Sequence, residues 1–315
     1  MYPSCWTNGQ PMFNSAARTV RGLIPRELEP VFSGSSQGQV LMVNSSGIYF
    51  TLADRVYLMC PARYGTVPIG ISVEDFDGTV RKMSLAQGQR VAIADHVLTL
   101  PGGKWKLRLS VSTGGKEPIC IPDLQRCEHA AKELAACGKP AGLSGLCRPL
   151  LLGEPLDPAA GLLCRQALSA MTALLRGLLD ERQEEIVSGV SSLLGLGVGL
   201  TPSGDDMLLG IIYALNRSAR RDSAAGKLLS DTVAAQAPSR TNRVSNAYLQ
   251  AVAAGAPFER LENAWLGLDA RFPPAEAKLL EIGSNSGSEM LLGLLLAAAV
   301  IRKSQPAFPE KDRPC

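Results

Sequence analysis

The stretch Gly195-Leu-Gly-Val-Gly-Leu-Thr-Pro-Ser-Gly-Asp-Asp-Met-Leu-Leu-Gly210 passes from a glycine-rich loop into a run of apolar residues. Glycines at alternating positions allow the backbone to adopt positive φ and to approach a ligand closely. Ser203 occupies the predicted N-cap and Asp206 the third position after it, which is an acidic variant of the capping box. The apolar residues continue to Leu215 and are too hydrophobic for an exposed helix. The stretch therefore predicts a buried helix that is entered from a glycine loop.

The start of this helix is also a candidate binding site. The first N–H groups of a helix have no partner within it, and they form favourable surroundings for an anion. The adjacent carboxylates Asp205 and Asp206 would repel an anion unless a metal, a cationic side chain or an amino group lies between them. The pattern thus favours a ligand with an anionic end and an N–H or cationic end. The alternative is an ordinary buried helix start, with its acids at the favourable end of the helix dipole.

Composition limits the classes of function. The 315 residues are enough for two domains, and 46% hydrophobic with 19% charged residues is typical of a globular protein. A net charge of +3, without a run of Lys or Arg, argues against a nucleic-acid partner. Aromatic residues make up 5% of the chain, too few to favour base-stacking surfaces.

Cysteines and histidines limit the chemistry further. The 8 cysteines form no C-x-x-C pair and fit no zinc spacing, so most are predicted to be small core residues. The 2 histidines, His96 and His129, are too few for a His-rich metal site. Met1–Gln10 lacks the apolar core of a signal peptide, and Met290–Ile301 is too short to span a bilayer. We expect a cytoplasmic protein with reduced thiols and no membrane partner.

Hydrophobic patterning divides the chain into four regions. Residues 1–30 are predicted to be an N-terminal arm, with a short helix over Ser15–Leu23 as an alternative. Residues 31–115 contain short strand-like runs separated by glycine-containing turns, which predict an antiparallel β-barrel or sandwich. Residues 116–303 predict a mostly α-helical domain, and residues 304–315 a charged tail. The expected fold class is α+β.

The individual elements follow from the same patterns. The predicted strands are Gln39–Val43, Ile48–Thr51, Val56–Cys60, Ile69–Val73, Val91–Ala94, His96–Leu100 and Trp105–Ser112. The predicted helices, besides the one after Ser203, are Asp123–Cys137, Leu162–Leu179, Glu181–Leu194, Ala224–Ala237, Val244–Gly255, Glu259–Leu268, Pro273–Ile282 and Ser286–Ile301.

The helix start at Ser203 has a close copy near the C-terminus. Ser203-Gly-Asp-Asp-Met-Leu-Leu-Gly210 and Ser286-Gly-Ser-Glu-Met-Leu-Leu-Gly293 differ only at their third and fourth positions. Glycines in both helices would permit close helix–helix approach. We expect two buried helices that cross, with both N-termini facing one cavity. The alternative is a chance recurrence of capping sequences before leucine-rich helices.

Between these copies lies Ser239-Arg-Thr-Asn-Arg-Val-Ser245, which places two arginines and several hydroxyls just before an apolar helix. The planar guanidinium of arginine is suited to bind phosphate or carboxylate. The alternative is a solvated helix start. Together with the two glycine loops, the segment favours a binding function.

These three segments together resemble the AllH family, which includes a subunit of bacterial oxamate carbamoyltransferase. The family signature is a G-x-G-L-T-P-S-x-D-D loop, a T-T-x-x-S segment that opens a helix, and a C-terminal G-H-x-S-G-x-D motif. The loop matches Gly197-Val-Gly-Leu-Thr-Pro-Ser-Gly-Asp-Asp206, and the second motif matches Thr241-Asn-Arg-Val-Ser245, with Asn242 in place of threonine. In the third motif, Ser284 replaces histidine and Glu289 replaces aspartate.

The resemblance is strongest from Gly195 to Ile301 and implies a carbamoyltransferase of allantoin degradation, a route of purine catabolism. Such an enzyme exchanges a carbamoyl group between carbamoyl phosphate and oxamate, and gives oxalurate and phosphate in one direction. It implies companion subunits and small-molecule substrates as partners. We expect no cofactor, and Mg²⁺ is left open. The carbamoyl acceptor and the number of partner subunits are not determined by the sequence.

On this hypothesis the residue types indicate roles. Arginine side chains would hold phosphate or carboxylate, and backbone N–H groups around Ser203-Gly204 and Ser286-Gly287 would stabilise a developing oxyanion. A carboxylate would accept a proton or orient an amide. The predicted catalytic residues are Asp205, Asp206 and Arg243; the predicted substrate or phosphate contacts are Gly199, Thr201, Ser203, Gly204, Arg240, Thr241, Ser245, Ser286, Gly287 and Glu289.

Two other functions are compatible with the sequence. A non-catalytic scaffold subunit would use the helical domain only to hold partners. A Mg²⁺-dependent hydrolase would use the oxygens of Asp205, Asp206 and Glu289 as ligands.

Overall fold

Short apolar runs between Arg18 and Ser112 form the strands of a closed barrel. The computed structural model describes residues 17–79, 84–112, 122–137, 142–269 and 275–304. Within these residues the strands are β1 (Arg18–Pro25), β2 (Ser36–Asn44), β3 (Gly47–Leu52), β4 (Arg55–Pro61), β5 (Gly70–Val73), β6 (Arg90–Ala94), β7 (Val97–Leu100) and β8 (Gly103–Ser112). All seven predicted strands are confirmed, and β1 is an addition.

The barrel has the strand order β1-β5-β4-β3-β2-β6-β7-β8 and closes through β8 and β1. Strands joined by tight turns pair antiparallel, as predicted. However, β1 pairs with β8 in parallel, and β4 pairs with β5 in parallel, so the barrel is mixed rather than purely antiparallel. Turn residues reveal only how neighbouring strands connect. They carry no information about β1 and β8, which lie at opposite ends of the barrel sequence.

The N-terminal arm assigned to residues 1–30 is wrong for Arg18–Pro25, as is the alternative helix over the described part of Ser15–Leu23. This segment is β1, and it pairs over its whole length with β8. Its partner is distant in sequence, so local patterning could not identify it as a strand. Residues 1–16 lie outside the described residues, as do the predicted domain boundary at 115–116 and residues 305–315 of the predicted tail.

The described residues that follow the barrel are mostly helical, as predicted. Two short helices, α1 (Glu29–Ser33) and α2 (Phe76–Thr79), belong to the barrel region. The C-terminal helices are α3 (Leu124–Cys137), α4 (Leu162–Asp180), α5 (Gln183–Leu193), α6 (Ser203–Asn216), α7 (Ala224–Arg240), α8 (Arg243–Ala253), α9 (Glu259–Gly267), α10 (Glu276–Leu280) and α11 (Ser286–Lys303). The expected α+β fold, a barrel followed by a helical region, is therefore confirmed. By length and composition, α4 is apolar enough to cross a bilayer; one of its faces packs in the helical core.

Strands β3 and β4 join the barrel to the helices because both of their faces are buried. Ile48, Phe50 and Met59 point into the barrel interior, whereas Tyr49 and Cys60 belong to the core of the helical region. This explains why both strands are continuously apolar rather than alternating, since a strand covered on both faces has no solvent side.

Candidate functional site

Helices α6 and α11 pack side by side through the glycines that their sequences share. An ideal Cβ at Gly210 would lie 2.2 Å from the carbonyl oxygen of Met290, and one at Gly293 would lie 2.2 Å from that of Met207. The two close approaches are reciprocal, so the matching sequences are related by an approximate twofold arrangement. The predicted packing of two buried helices is confirmed, and it requires glycine because the backbones touch.

Both helices begin in the same way, but not with the predicted capping boxes. The N-cap residues are Pro202 and Asn285, and neither side chain caps its helix. Instead the preceding loop folds back and supplies backbone carbonyls. At α6, Leu196 O accepts the N–H of Gly204 at 2.8 Å. At α11, Ile282 O accepts the N–H of Gly287 at 3.0 Å.

The carbonyl caps correct two expectations. The hydroxyl of Ser203 is not needed as a cap, and it donates to Glu289 on the neighbouring helix instead. The N–H groups of Gly204 and Gly287, predicted to stabilise an oxyanion, are already bound to carbonyl oxygens. A sequence motif shows which groups are available for capping, but it cannot show that a distant carbonyl takes their place.

The N-termini of α6 and α11 lie next to each other. The hydroxyl oxygens of Thr201, just before α6, and Ser286, the first residue of α11, are 2.9 Å apart, and either can donate. Both helix dipoles therefore present their positive ends to the same place. Three buried acids, Asp205, Asp206 and Glu289, lie in the first turns of these two helices.

Asp206 is the acid with the least support. Its side chain is completely buried, and neither carboxyl oxygen has a hydrogen-bond partner of normal geometry among the described residues. Burial raises the pKa of Asp206 well above its ordinary value; nearby Glu289 raises it further, while the hydroxyls of Ser286 and Thr201 lower it. Buried polar groups in proteins are nearly always bonded, so an exception of this kind indicates a ligand, a proton or a strained site.

Asp205 and Glu289 are buried but bonded. Asp205 accepts the N–H of Gly195 at 2.8 Å and the hydroxyl of Ser245 at 2.6 Å, and it also accepts the hydroxyl of Thr241. Glu289 accepts the N–H of Leu143 at 3.0 Å. Burial raises the pKa of each carboxyl group, and these hydrogen bonds oppose the rise.

The second predicted motif therefore meets the first. Asn242 caps α8 by accepting the N–H groups of Val244 and Ser245 at 3.0 and 3.1 Å. Its amide nitrogen also lies 3.5 Å from the carbonyl oxygen of Gly199 in the glycine loop. The starts of α6, α8 and α11 thus converge, and they bring together hydroxyls and acids from three separate parts of the chain.

The two predicted arginine side chains do not join them. Arg240 donates to the carbonyl oxygen of Ser191 at 3.1 Å, and Arg243 donates to that of Asp54 at 3.0 Å, on the turn between β3 and β4. Both side chains are exposed. Arg243 lines a separate cavity of about 480 Å³ between the barrel and α8, on the opposite side of that helix from Ser245. Sequence spacing places an arginine on a helix but does not decide the direction of its long side chain.

The structure adds tyrosines that the motifs did not include. Tyr248 of α8 and Tyr49 of β3 are buried and hydrogen-bonded to each other, and both interact electrostatically with Asp206. Burial raises the pKa of Tyr49 to about 12, so its phenol remains protonated. Tyr248 lies one helical turn after Ser245 and could have been found from that spacing. Tyr49 comes from the barrel, and no local pattern connects it to this site.

Metal binding gains no support from the arrangement of the acids. Within the residues that the structure describes, no three His, Cys, Asp or Glu side chains form a metal-binding group. Asp205 and Glu289 face different hydrogen-bond donors. The oxygen ligand set that the Mg²⁺-dependent alternative required is therefore not assembled.

Replacing Ser245 by alanine is expected to destabilise the protein by about 1–3 kcal/mol, because a buried carboxyl group loses a hydrogen-bond donor. The free energy of unfolding in urea measures this loss. Thr172→Ala is a matched control, since that hydroxyl bonds a carbonyl on an exposed helix face and its loss should change the free energy by less than about 0.5 kcal/mol. Equal stabilities of the two variants would show that Ser245 does not support Asp205.

Comparison with known protein families gives a match over part of the chain. The model of a family described as oxamate carbamoyltransferase subunit AllH matches residues 193–298. This segment begins just before the glycine loop and ends within α11, so it contains all three converging helix starts. No curated protein and no solved structure matches the chain. The predicted resemblance is thus confirmed over this segment, and the matched family is a subunit of a carbamoyltransferase.

Proposed function

We propose that this chain is a subunit of an oxamate carbamoyltransferase-like enzyme, with its reaction site where α6, α8 and α11 begin. Carbamoyl phosphate and oxamate, or a similar small amide, are the proposed substrates. The observation that carries the proposal is Asp206, a completely buried carboxyl group between two matched helix starts that has no hydrogen bond of normal geometry. A buried carboxyl group without well-formed hydrogen bonds is costly, and a substrate with N–H and carbonyl groups would supply them.

The reaction needs a group that accepts a proton and a group that polarises a carbonyl. The amide nitrogen of oxamate attacks the carbonyl carbon of carbamoyl phosphate, the bond from that carbon to the phosphate oxygen breaks, and phosphate leaves with the electron pair. The proton from the nitrogen must pass to a base. No covalent intermediate with the protein is required.

The different surroundings of the two neighbouring acids suit these two tasks. Asp205 has three hydrogen-bond donors that favour its ionised form, so we assign it the proton-accepting role. Burial raises the pKa of Asp206 well above its ordinary value and so favours its protonated form, and we assign it the role of donating to the carbonyl oxygen. Pairs of acids whose surroundings separate their pKa values are typical of acid–base sites.

Phosphate binding is assigned to hydroxyl groups in the field of two helix dipoles, rather than to arginine forks or to the helix N–H groups that already bind carbonyls. Thr201 and Ser286 place two hydroxyl groups between the positive ends of α6 and α11. Helix N-termini and hydroxyls are ordinary phosphate ligands in proteins. In this proposal the enzyme is active only with its companion subunits. We expect them to supply any cationic side chain that the phosphate group requires.

The test is carbamoyl transfer by the complex assembled with its companion subunits. We expect oxalurate and phosphate to form in equal amounts from carbamoyl phosphate and oxamate. Ser286→Ala should lower kcat/KM by at least about tenfold, since one hydrogen bond to a charged group is lost. Ser192→Ala, an exposed serine on α5, is the matched control and should have no effect. A complex that forms no oxalurate, or full activity in Ser286→Ala, would contradict the assignment.

A non-catalytic scaffold remains the second candidate, and one observation favours it. The guanidinium groups of Arg240 and Arg243 are engaged with backbone carbonyls rather than directed at the acids. In a scaffold, Asp206 would only occupy space between two helices. Full catalytic activity of a complex that carries Asp206→Asn would identify this alternative as the correct one.

A further inference from the structure

Strands β1 and β8, which pair over the whole length of β1, carry a concentration of exposed positive charge. Their sequences, Arg18-Thr-Val-Arg-Gly-Leu-Ile-Pro25 and Gly103-Lys-Trp-Lys-Leu-Arg-Leu-Ser-Val-Ser112, contain five cations and no acid. The cations are Arg18, Arg21, Lys104, Lys106 and Arg108, and all five are exposed. We call this surface the basic wall.

The strand register places like charges together. Arg21 lies directly opposite Arg108, and Thr19 lies opposite Lys106. Along β8, side chains on the same face repeat about every 6.8 Å, so its three cations form a straight row. Like charges directly opposite each other on paired strands are unfavourable, by roughly 0.2–1 kcal/mol. The fold therefore keeps an arrangement that does not help its own stability.

No acid within the described residues forms an ion pair with the basic wall. Glu74 and Asp75 border it at one end, where they line a cavity of about 450 Å³ with Arg18, Arg21 and Arg108. The neighbouring strand β7 contributes no acid either. The five cations thus form no close ion pair within the described part of the chain, and they outnumber the two acids beside them, although the net charge of the whole chain is only +3.

The cations of the basic wall lie away from the strands that the helices cover, although the C-terminal end of β8, Val111 and Ser112, lines a cavity with residues of the helical region. The helices cover β3 and β4, and β8 is separated from these strands by β1 and β5 on one side and by β2, β6 and β7 on the other. The candidate site and the basic wall therefore occupy different sides of the barrel. A partner can bind the wall without covering the site.

We propose that the basic wall binds an acidic surface of a companion subunit. This proposal rests on the proposed function, which requires companion subunits, and it adds where one of them binds and by what chemistry. Complementary charge across an interface speeds association and excludes partners of the wrong charge. A nucleic-acid partner is less consistent with the surface, because no exposed residue of β1 or β8 is aromatic and the surface lacks aromatic stacking platforms for bases.

The test measures assembly rather than activity. The full chain is titrated with its companion subunits at low and moderate salt, and the affinity is measured by biolayer interferometry. Arg21→Glu/Arg108→Glu should weaken binding at least tenfold and reduce its dependence on salt. Lys132→Glu/Lys278→Glu is the matched control, since it reverses two exposed cations of the helical region and should bind like the wild type. Circular dichroism checks that both variants fold, and Arg21→Gln/Arg108→Gln should have a smaller effect in the same direction.

Three results distinguish failure of the docking proposal from failure of the proposed function and from nucleic-acid binding. Wild-type affinity in Arg21→Glu/Arg108→Glu overturns the docking proposal, while carbamoyl transfer by that complex would leave the proposed function intact. Charge-dependent assembly without carbamoyl transfer supports the basic wall and contradicts the proposed function. Submicromolar binding of a 30-nucleotide single strand at physiological salt, lost in the charge-reversed variant, overturns the proposal in favour of nucleic acid.

Discussion

Replacing Asp206 by asparagine is expected to lower carbamoyl transfer by at least about 100-fold, the smaller end of what an acid–base group contributes. At pH 8 the same variant should have a thermal midpoint equal to or above that of the wild type. Asparagine has nearly the shape of a protonated aspartate but cannot ionise. The substitution replaces the carboxyl O–H, which we assign to polarise the carbonyl, by an amide N–H that is a far weaker acid, and it leaves no cavity.

The stability part of this prediction follows from the pKa of Asp206. Burial raises it well above the ordinary value in the folded protein. The folded state therefore holds its proton more tightly than the unfolded state does. The stabilising contribution of Asp206 is complete below its unfolded pKa, of about 3.9, and is lost as pH rises through the folded pKa. The asparagine variant lacks this loss, so its thermal midpoint should fall less between pH 5 and pH 8.

Differential scanning calorimetry at these two pH values measures the effect, alongside the rate of oxalurate formation. Asp231→Asn is the matched control, because that acid is exposed on α7 and its replacement should change neither quantity. A large drop in the thermal midpoint at both pH values, with normal activity of the folded fraction, would show that Asp206 is structural.

Replacing Gly210 by alanine is expected to destabilise the protein by roughly 2–4 kcal/mol, as overpacking of a close helix contact does. Alanine favours the helix by about 1 kcal/mol relative to glycine, so intrinsic preference alone would predict the opposite sign. The close helix contact determines the sign of the stability change, because the new Cβ would lie 2.2 Å from a backbone oxygen that no side-chain rotation can move. Helices α6 and α11 would have to separate.

The reciprocal packing makes a second, stricter prediction. Gly293→Ala meets the same distance, 2.2 Å, on the other helix, so its cost should be similar to that of Gly210→Ala. The double variant should cost less than the sum, since the helices separate only once. Urea unfolding of the three variants tests this. Gly145→Ala, where an added Cβ has no atom within 4 Å, should be close to neutral. Additive costs would show that the two glycines act independently.

Much of the architecture followed from local sequence patterns. Alternating and continuous apolar runs predicted the strands from Ser36 to Ser112, and helical periodicity predicted α3 to α11. The copy of the Ser203 junction at Ser286 predicted two packed helices, because a glycine inside a buried helix permits a backbone contact. These features depend on which face of one segment is buried, and period and composition record that directly.

Other features were decided only by the tertiary structure. Closure of the barrel by β1 and β8, the carbonyl caps of α6 and α11, and the approach of Tyr49 to Asp206 join residues far apart in the chain. The outward direction of Arg243 depends on a carbonyl acceptor in the barrel. A sequence states which groups can donate or accept, but which partner each one meets is fixed by long-range packing. That is why the acids of the candidate site were identified in advance and their surroundings were not.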